Sequence, residues 1–218
     1  INFLTGYAPG TVPDMMKPGQ GKLIKAGSDI VFQIHWTANG TAAVDKAKLG
    51  LIFAKETPKE KVLTLAASNG RFTIPAGAEN HQVDAKITLQ EDSVLEALTP
   101  HMHVRGKAFQ MRVTLPNGEK RELLNVPKYD FNWQLSYQLA EPMTLPKGSI
   151  IEATAWYDNS PNNKFNPDPT KPVKWGDQSW EEMMIGFFNV VTTPEKTPAD
   201  LMRPKRPATA APSSAGVE

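Results

Sequence analysis

The chain contains no cysteine, no apolar run of transmembrane length and almost no net charge. The lack of Cys excludes disulfides, thiolate metal ligands and thiol nucleophiles, so His, Met and the carboxylates are the candidates for chemistry. No continuous apolar stretch approaches the roughly 20 residues that a transmembrane helix needs. A balance of 24 Lys and Arg against 23 Asp and Glu gives a formal net charge of +1, which argues against a nucleic-acid or anionic-membrane partner.

The distribution of residue types predicts an all-β sandwich. Proline (19) and glycine (15) recur throughout, and the segments between them are short and rich in β-branched and aromatic residues. Helical periodicity is weak everywhere. Strands are predicted at residues 29–37, 48–54, 82–89, 95–105, 109–115, 121–126, 130–139, 149–157 and 183–191. Pro116-Asn117-Gly118 predicts a hairpin turn.

Composition divides the 218 residues into three parts. Residues 1–57 are interpreted as the end of an N-terminal domain, with a few strands of a preceding sandwich. Residues 58–193 form the main domain, and residues 194–218 are a tail rich in Pro, Ala and Ser that is predicted to be disordered. Residues 158–177 predict a long irregular loop, which either borders a substrate cleft or is a plain structural connection.

His101, Met102 and His103 form a His-X-His triplet in a chain with only four histidines. In an extended strand, side chains two residues apart point to the same face, so both histidines can reach one metal ion while Met102 turns away. A thioether from Met183 would complete a His/His/Met site, and that ligand set suits copper better than zinc. The competing interpretations are a solvated strand face for the histidines and core packing for Met183.

The two remaining histidines carry weaker signals. His35 falls on the polar face of a predicted strand and could be a ligand only with partners from elsewhere in space. His81 follows a Pro/Gly turn, which is typical of a surface residue. Glu181 and Glu182 either orient a metal ligand or are exposed carboxylates beside a strand.

The residues from His101 to Lys107, together with Trp180 to Met183, resemble the copper type II, ascorbate-dependent monooxygenases. This family includes the peptidylglycine alpha-hydroxylating and dopamine beta-monooxygenases. The order and approximate spacing of its His-X-His and Glu-Met motifs match, and Gln33-Ile34-His35-Trp36 is similar to its Gln-Val-His-Tyr strand. The resemblance covers roughly residues 6–191.

The resemblance implies antiparallel jelly-roll domains and two copper ions. His101, His103 and Met183 would hold the catalytic copper, and His35 would match one ligand of a second, electron-transfer copper. The family's other two ligands of that second copper form an adjacent His-His pair, which this chain lacks. The missing electron supply would then come from another part of the protein or from a reductant such as ascorbate or an upstream haem domain.

The resemblance also bears on the substrate. The peptide-amidating members bind a peptide carboxylate with an Arg, an Asn and a Tyr at positions that correspond to Thr99, Ile185 and Phe187. None of these three side chains can hold an anion as a guanidinium does. We therefore expect a small apolar or aromatic substrate, and not a glycine-extended peptide.

Three functional hypotheses follow. The first is a copper-dependent monooxygenase that hydroxylates a C–H bond with O2 and an external reductant, located in the periplasm or secreted. The second is a non-catalytic copper-binding or electron-transfer module of a larger protein, which the missing His-His pair favours. The third is a β-sandwich interaction domain in which the histidines have no metal-binding role.

Overall fold

Short strand-forming segments between turns build a β-sandwich. The computed structural model describes residues 3–36 and 39–204, and these residues contain eleven strands and one short helix. The strands are β1 (Gln20–Gly21), β2 (Glu60–Ser68), β3 (Thr73–Ile74), β4 (His81–Thr88), β5 (Ser93–His101), β6 (Gly106–Thr114), β7 (Lys120–Val126), β8 (Tyr137–Leu145), β9 (Ile150–Tyr157), β10 (Val173–Lys174) and β11 (Ile185–Thr192). The helix α1 spans Pro198–Met202. Within the described part of the chain, no helix has the length and apolar character needed to cross a bilayer.

The eight long strands have jelly-roll topology. One sheet has the order β1-β2-β11-β5-β8, and the opposite sheet has the order β4-β9-β6-β7. The long strands pair antiparallel, and the chain passes between the two sheets after β2, β4, β5, β7, β8 and β9. This order is that of an eight-stranded jelly roll, which confirms the predicted fold class.

The core lies between the two sheets and follows the period-two alternation of the strands. Inward-facing residues are fully or almost fully buried; they include Phe109, Met111, Val113, Ile151, Ala153, Ala155, Phe188 and Val190. Burial of each large apolar side chain stabilises the fold by roughly 1.5–3 kcal/mol. Alternate residues face outward, so the same strands present a second, half-exposed surface.

Most predicted strands are confirmed. Residues 82–89, 109–115, 121–126, 149–157 and 183–191 correspond to β4, β6, β7, β9 and β11. The hairpin between β6 and β7 is closed by the Gly118 N–H donating to the Leu115 carbonyl, and Gly118 has the positive φ of 86° that favours glycine. Strand β2 was not predicted, because the adjacent apolar pairs Val62-Leu63 and Ala66-Ala67 weaken its period-two alternation.

Two predicted strands have the wrong bounds. The strand predicted at 95–105 ends at His101, because the chain turns at residues 104–105 and the Gly106 N–H donates to the His103 carbonyl. The strand predicted at 130–139 begins only at Tyr137, and residues 130–136 form a loop. Both errors place apolar residues of a connecting loop in a strand.

Two further predicted strands, at 29–37 and 48–54, are not formed in the described residues. Residues 29–36 and 48–54 have no strand partner, and Val31, Trp36, Ile52 and Phe53 are exposed. Alternation alone cannot make a strand, because a strand needs a neighbour for its backbone hydrogen bonds. Thr37 lies outside the described residues.

The segment before this region packs on the sandwich. Phe3 stacks on Phe187 of β11 with ring centroids 5.3 Å apart, and Lys17 forms an ion pair with Glu96 of β5. The Gln134 N–H donates to the Pro9 carbonyl at 2.8 Å. Residues 3–17 therefore lie against the outer face of the five-stranded sheet and the loop before β8, and residues 20–21 add its edge strand β1.

The predicted disordered tail is wrong for its first part. Residues 198–202 form α1, which Thr197 and Asp200 cap reciprocally in a capping box. Leu201 is fully buried against the sandwich, and its carbonyl accepts from the Gln90 N–H. One apolar side chain that reaches the core is enough to anchor this turn. Residues 205–218 lie outside the described residues.

The long connection between β9 and β11 is irregular, as predicted, apart from the two residues of β10. It is organised around Asn159, whose side chain is fully buried. The Asn159 amide donates to the carbonyls of Pro75 and Lys171, and its oxygen accepts from Arg105 Nε and from Asn166 Nδ2. All four hydrogen-bonding positions of the amide are therefore used.

Replacement of Asn159 tests this role. We expect Asn159→Leu to lower the free energy of unfolding by roughly 1–3 kcal/mol or more, because several buried polar groups lose their partner. Chemical denaturation measures the change. Asn162→Ala, at an exposed position of the same loop, is the matched control and should change stability by less than about 0.5 kcal/mol. Equal effects of the two variants would contradict the central role of Asn159.

Candidate metal centre

The candidate ligands lie at one edge of the sheet, where β5 ends and β11 begins. His101 is the last residue of β5 and is paired with Ile185, the first residue of β11. His103 follows His101 by two residues, and Met183 precedes Ile185 by two. Beyond this pair the ladder ends: the Glu182 N–H donates to the Lys174 carbonyl, and Glu182 forms a bridge with Trp175. The fold therefore places His101 and His103 at the end of β5 and Met183 just before β11, while a shared site for all three residues stays a prediction.

The separation of the two imidazole rings fits a shared metal ion. The ring centroids of His101 and His103 are 5.3 Å apart, and the rings are inclined at 81°. A ring nitrogen lies about 1 Å from its ring centre and binds a metal at about 2 Å, so two rings on one ion have centres about 5–6 Å apart. The observed separation falls in this range.

Each histidine is oriented by a hydrogen bond at Nδ1. His101 Nδ1 lies 2.7 Å from Gln134 Oε1, and His103 Nδ1 lies 3.2 Å from the Glu181 carbonyl oxygen. Both partners are acceptors, so each Nδ1 carries the proton and donates. The lone pair of each neutral ring is then on Nε2, which is the arrangement of histidine metal ligands.

The electrostatic environment keeps both histidines neutral. Burial lowers the pKa of His101, although its hydrogen bond to Gln134 acts in the opposite direction. Burial, helped by repulsion from His101, lowers the pKa of His103 to about 4. Neutral imidazoles at pH 7 are competent to bind a metal without first losing a proton.

Tyr129 holds the backbone of Met102, the residue between the two histidines. The Tyr129 hydroxyl accepts from the Met102 N–H at 3.0 Å and donates to the Met102 carbonyl at 2.7 Å. The Met102 side chain is fully buried in the core. Gly106 allows this approach, because a Cβ there would lie 2.7 Å from Tyr129 Cδ1 and 2.9 Å from Met102 Cβ.

Glu182 connects the histidine turn to the segment that carries Met183. Its carboxylate is fully buried and accepts from the His103 N–H at 2.8 Å and from the Arg105 N–H at 2.6 Å. Burial raises the pKa of Glu182 to about 8. The alternative of an exposed carboxylate is wrong for this residue, because both of its oxygens replace water with backbone N–H groups.

Arg105 adds further links between the same two segments. Its guanidinium donates from Nη1 to the Trp180 carbonyl at 2.8 Å and from Nε to Asn159 Oδ1 at 2.9 Å. The residue is 2% exposed. The turn after His103, the segment before Met183 and the long connection are thus joined in one buried polar network.

Met183 is half-buried, whereas the next residue, Met184, is fully buried in the core. The Met183 carbonyl accepts from the Tyr157 hydroxyl at 2.7 Å, which fixes its backbone. Among residues 3–36 and 39–204, no three His, Asp or Glu side chains come together in a way that could hold a metal. A third protein ligand beside the two histidines would therefore be of another kind, and the Met183 thioether stays the predicted one.

His35 and His81 do not join the pair as further ligands. His35 is exposed, and its Coulombic interaction lowers the pKa of both His101 and His103, so it lies in the same region of the molecule. Its assignment to a second copper stays a prediction. His81 is the first residue of β4 in the opposite sheet.

The residues at the predicted substrate positions line the same face as His101. Thr99 is paired with Phe187, next to the pair of His101 and Ile185. The Phe187 ring lies 6.4 Å from the His101 ring, and Phe131 lies 6.1 Å from the His103 ring. The surroundings of the histidine pair are therefore largely apolar and aromatic.

Sequence reasoning missed Gln134, Tyr129 and Arg105. Gln134 and Tyr129 lie on or next to a segment predicted as a strand, and nothing local marks them as contacts of the triplet. Arg105 stands within the motif that resembles the monooxygenases, but its partners are 54 and 75 residues away in the chain. Long-range polar contacts of this kind leave no periodic signal.

Comparison with known proteins adds little to this site. No protein-family model matches the chain, and no curated protein matches it. Two solved structures of infectious bursal disease virus are similar to this chain. The structure of the Gt strain has 16% sequence identity and a TM-score of 0.33, and the match covers 72% of this chain and 38% of that chain. The VP2 subviral particle has 16% sequence identity and a TM-score of 0.33, and the match covers 71% of this chain and 39% of that chain. This chain therefore spans less than half the length of those viral chains.

Removal of the Glu182 carboxylate tests the connection between the two segments. We expect Glu182→Ala to lower the free energy of unfolding of the metal-free protein by roughly 2–4 kcal/mol, because two buried N–H groups lose their acceptor. Urea denaturation measures the change.

The neighbouring Glu181→Ala is the matched control: His103 Nδ1 contacts the Glu181 main-chain carbonyl, and the Glu181 side chain accepts only one exposed backbone hydrogen bond, from the Gln178 N–H. Its effect should be less than about 1 kcal/mol. A Glu182→Ala variant as stable as Glu181→Ala would show that the hydrogen bonds of Glu182 to the His103 and Arg105 N–H groups do not stabilise the fold.

Proposed function

We propose that this chain is a copper-dependent monooxygenase domain that hydroxylates a C–H bond of a small molecule. The observation that carries the proposal is the histidine pair, with ring centroids 5.3 Å apart and each Nδ1 donating to an oxygen acceptor. Together with a thioether at Met183, this donor set suits copper, and a soft sulfur ligand favours Cu(I).

Copper bound there would supply one-electron redox chemistry and an open position for O2. Hydroxylation places one oxygen atom of O2 in the C–H bond and releases the other as water. Two electrons and two protons must come from an external reductant, such as ascorbate or an upstream haem domain. Such copper chemistry is usual outside the cytoplasm, so the proposed location is periplasmic or secreted.

The protein residues have two tasks in this proposal. His101 and His103 present neutral Nε2 atoms, because their Nδ1 protons are held by Gln134 and Glu181. Glu182 and the backbone bonds around it fix the histidine turn relative to Met183. Rigid placement of ligands before the metal arrives lowers the cost of binding it.

The side chains beside His101 are apolar, and Phe3 stacks on Phe187 among them, which favours a substrate without a carboxylate at the reacting end. Ile185 and Phe187 occupy the positions next to the candidate ligands, and Phe131 flanks His103. None of these side chains offers a charged donor to an anion. The proposed substrate is a small apolar or aromatic molecule, and not a glycine-extended peptide.

A second candidate function is a non-catalytic copper-binding or electron-transfer module. It uses the same three ligands, and the lack of an adjacent His-His pair anywhere in the sequence favours it. Without such a pair, His35 has no evident companions to hold a second copper. Oxygen consumption separates the two candidates.

Copper stoichiometry tests the ligand set. After loading with Cu(II) and desalting, the unmodified protein should retain one copper per chain, and His103→Ala should retain essentially none, because a single imidazole and a thioether bind weakly. Metal analysis measures the ratio. His81→Ala removes a histidine of the opposite sheet and should retain one copper. Full occupancy in His103→Ala would refute the assignment.

Substitution of Met183 tests the chemistry. Met183→Leu nearly conserves volume, so its unfolding free energy should change by less than about 1.5 kcal/mol. Its ascorbate-dependent O2 uptake should fall by at least tenfold relative to the unmodified protein, because Cu(I) loses its sulfur ligand. Copper retention without O2 uptake in the unmodified protein would instead support the non-catalytic module.

A further inference from the structure

Gln134 is the side chain that contacts His101, and it lies in the loop between β7 and β8. It is 4% exposed, and its backbone N–H donates to the Pro9 carbonyl at 2.8 Å. Its amide nitrogen donates to the Phe131 carbonyl at 2.8 Å, while its amide oxygen lies 2.7 Å from His101 Nδ1. The backbone N–H, the amide nitrogen and the amide oxygen of Gln134 therefore each have a hydrogen-bond partner.

The contact with Phe131 fixes which way the amide points. A backbone carbonyl only accepts hydrogen bonds, so the NH2 group of Gln134 must face Phe131. The amide oxygen must then face His101, and His101 must carry its proton on Nδ1. The Phe131 carbonyl thus determines the orientation of the Gln134 amide, and the Gln134 amide determines the tautomer of His101.

We infer that Gln134 is a positioning residue that sets the tautomer of His101 and the strength of its Nε2 as a metal donor. This inference rests on the proposed copper site. An acceptor at Nδ1 makes the imidazole a stronger ligand, and a carboxylate does so more than a neutral amide. A neutral acceptor at this position therefore keeps His101 a moderate donor, which favours Cu(I) relative to Cu(II).

The two histidines differ in the kind of acceptor that binds the Nδ1 proton. The acceptor for His103 is the main-chain carbonyl of Glu181, which has the same chemistry whatever side chain stands there. The acceptor for His101 is a side chain. A single substitution at residue 134 can thus change the donor strength of one ligand while the other stays as it is.

Two variants of Gln134 give opposite expectations. Gln134→Leu is similar in size and has no acceptor, so the ring of His101 loses its fixed tautomer and Cu(I) affinity should fall about 10–100-fold. Gln134→Glu keeps an acceptor and adds charge, so it should keep the tautomer and shift the Cu(II)/Cu(I) potential to a lower value. Gln138→Leu, exposed on β8, is the matched control.

The first readout requires no metal. The 15N chemical shifts of the His101 ring in the metal-free protein report which nitrogen is protonated: the unmodified protein and Gln134→Glu should show protonated Nδ1, and Gln134→Leu should show a mixture. Competition with a Cu(I) chelator and a redox titration then give the affinity and the potential of each variant.

The outcomes separate this inference from the proposed function. If the unmodified protein binds no copper, the proposed function fails, and the tautomer measurement alone decides the role of Gln134. If copper binds but Gln134→Leu keeps both the tautomer and the Cu(I) affinity within twofold, the inference is overturned. A Gln134→Glu variant with an unchanged potential also overturns the part of it that concerns donor strength.

Discussion

The antiparallel pairing of β5 with β11 is the constraint on which the candidate centre depends. It places His101 opposite Ile185, and so it brings the segments that carry His103 and Met183, about eighty positions apart in the chain, to the same edge of the sheet. The pairing is itself enforced by the core, because a slip of one residue would turn buried side chains of β11 such as Phe188 outward. The packing of the sandwich thus determines where these two segments meet.

Beyond the end of the ladder, buried polar groups take over from strand pairing. Glu182 accepts hydrogen bonds from the His103 and Arg105 backbone N–H groups. The Arg105 guanidinium donates to the Trp180 carbonyl, just before Glu182. Burial of a carboxylate and a guanidinium is unfavourable unless their hydrogen bonds are satisfied. Both groups have such partners here, and they join the turn after His103 to the segment before Met183, where the pairing of β5 with β11 has ended.

The sequence predicted the fold class, most of the long strands and the proximity of His101 to His103, because alternation and motif spacing are local signals. It failed where geometry depends on distant partners. Alternation at residues 29–36 predicted a strand, but these residues have no neighbour to pair with. The orienting residues Gln134 and Tyr129 were missed because they reach the triplet across 33 and 27 residues. The buried role of Glu182 was only one of two alternatives until its backbone partners were known.

The most direct test of the account is X-ray absorption spectroscopy at the copper edge on the Cu(I)-loaded protein. The account predicts scattering from two imidazole rings and one sulfur atom. The sulfur contribution should disappear in Met183→Leu, while the two imidazoles remain. A spectrum without sulfur in the unmodified protein, or with sulfur that persists in Met183→Leu, would contradict the assignment of a His/His/Met copper centre at the end of β5.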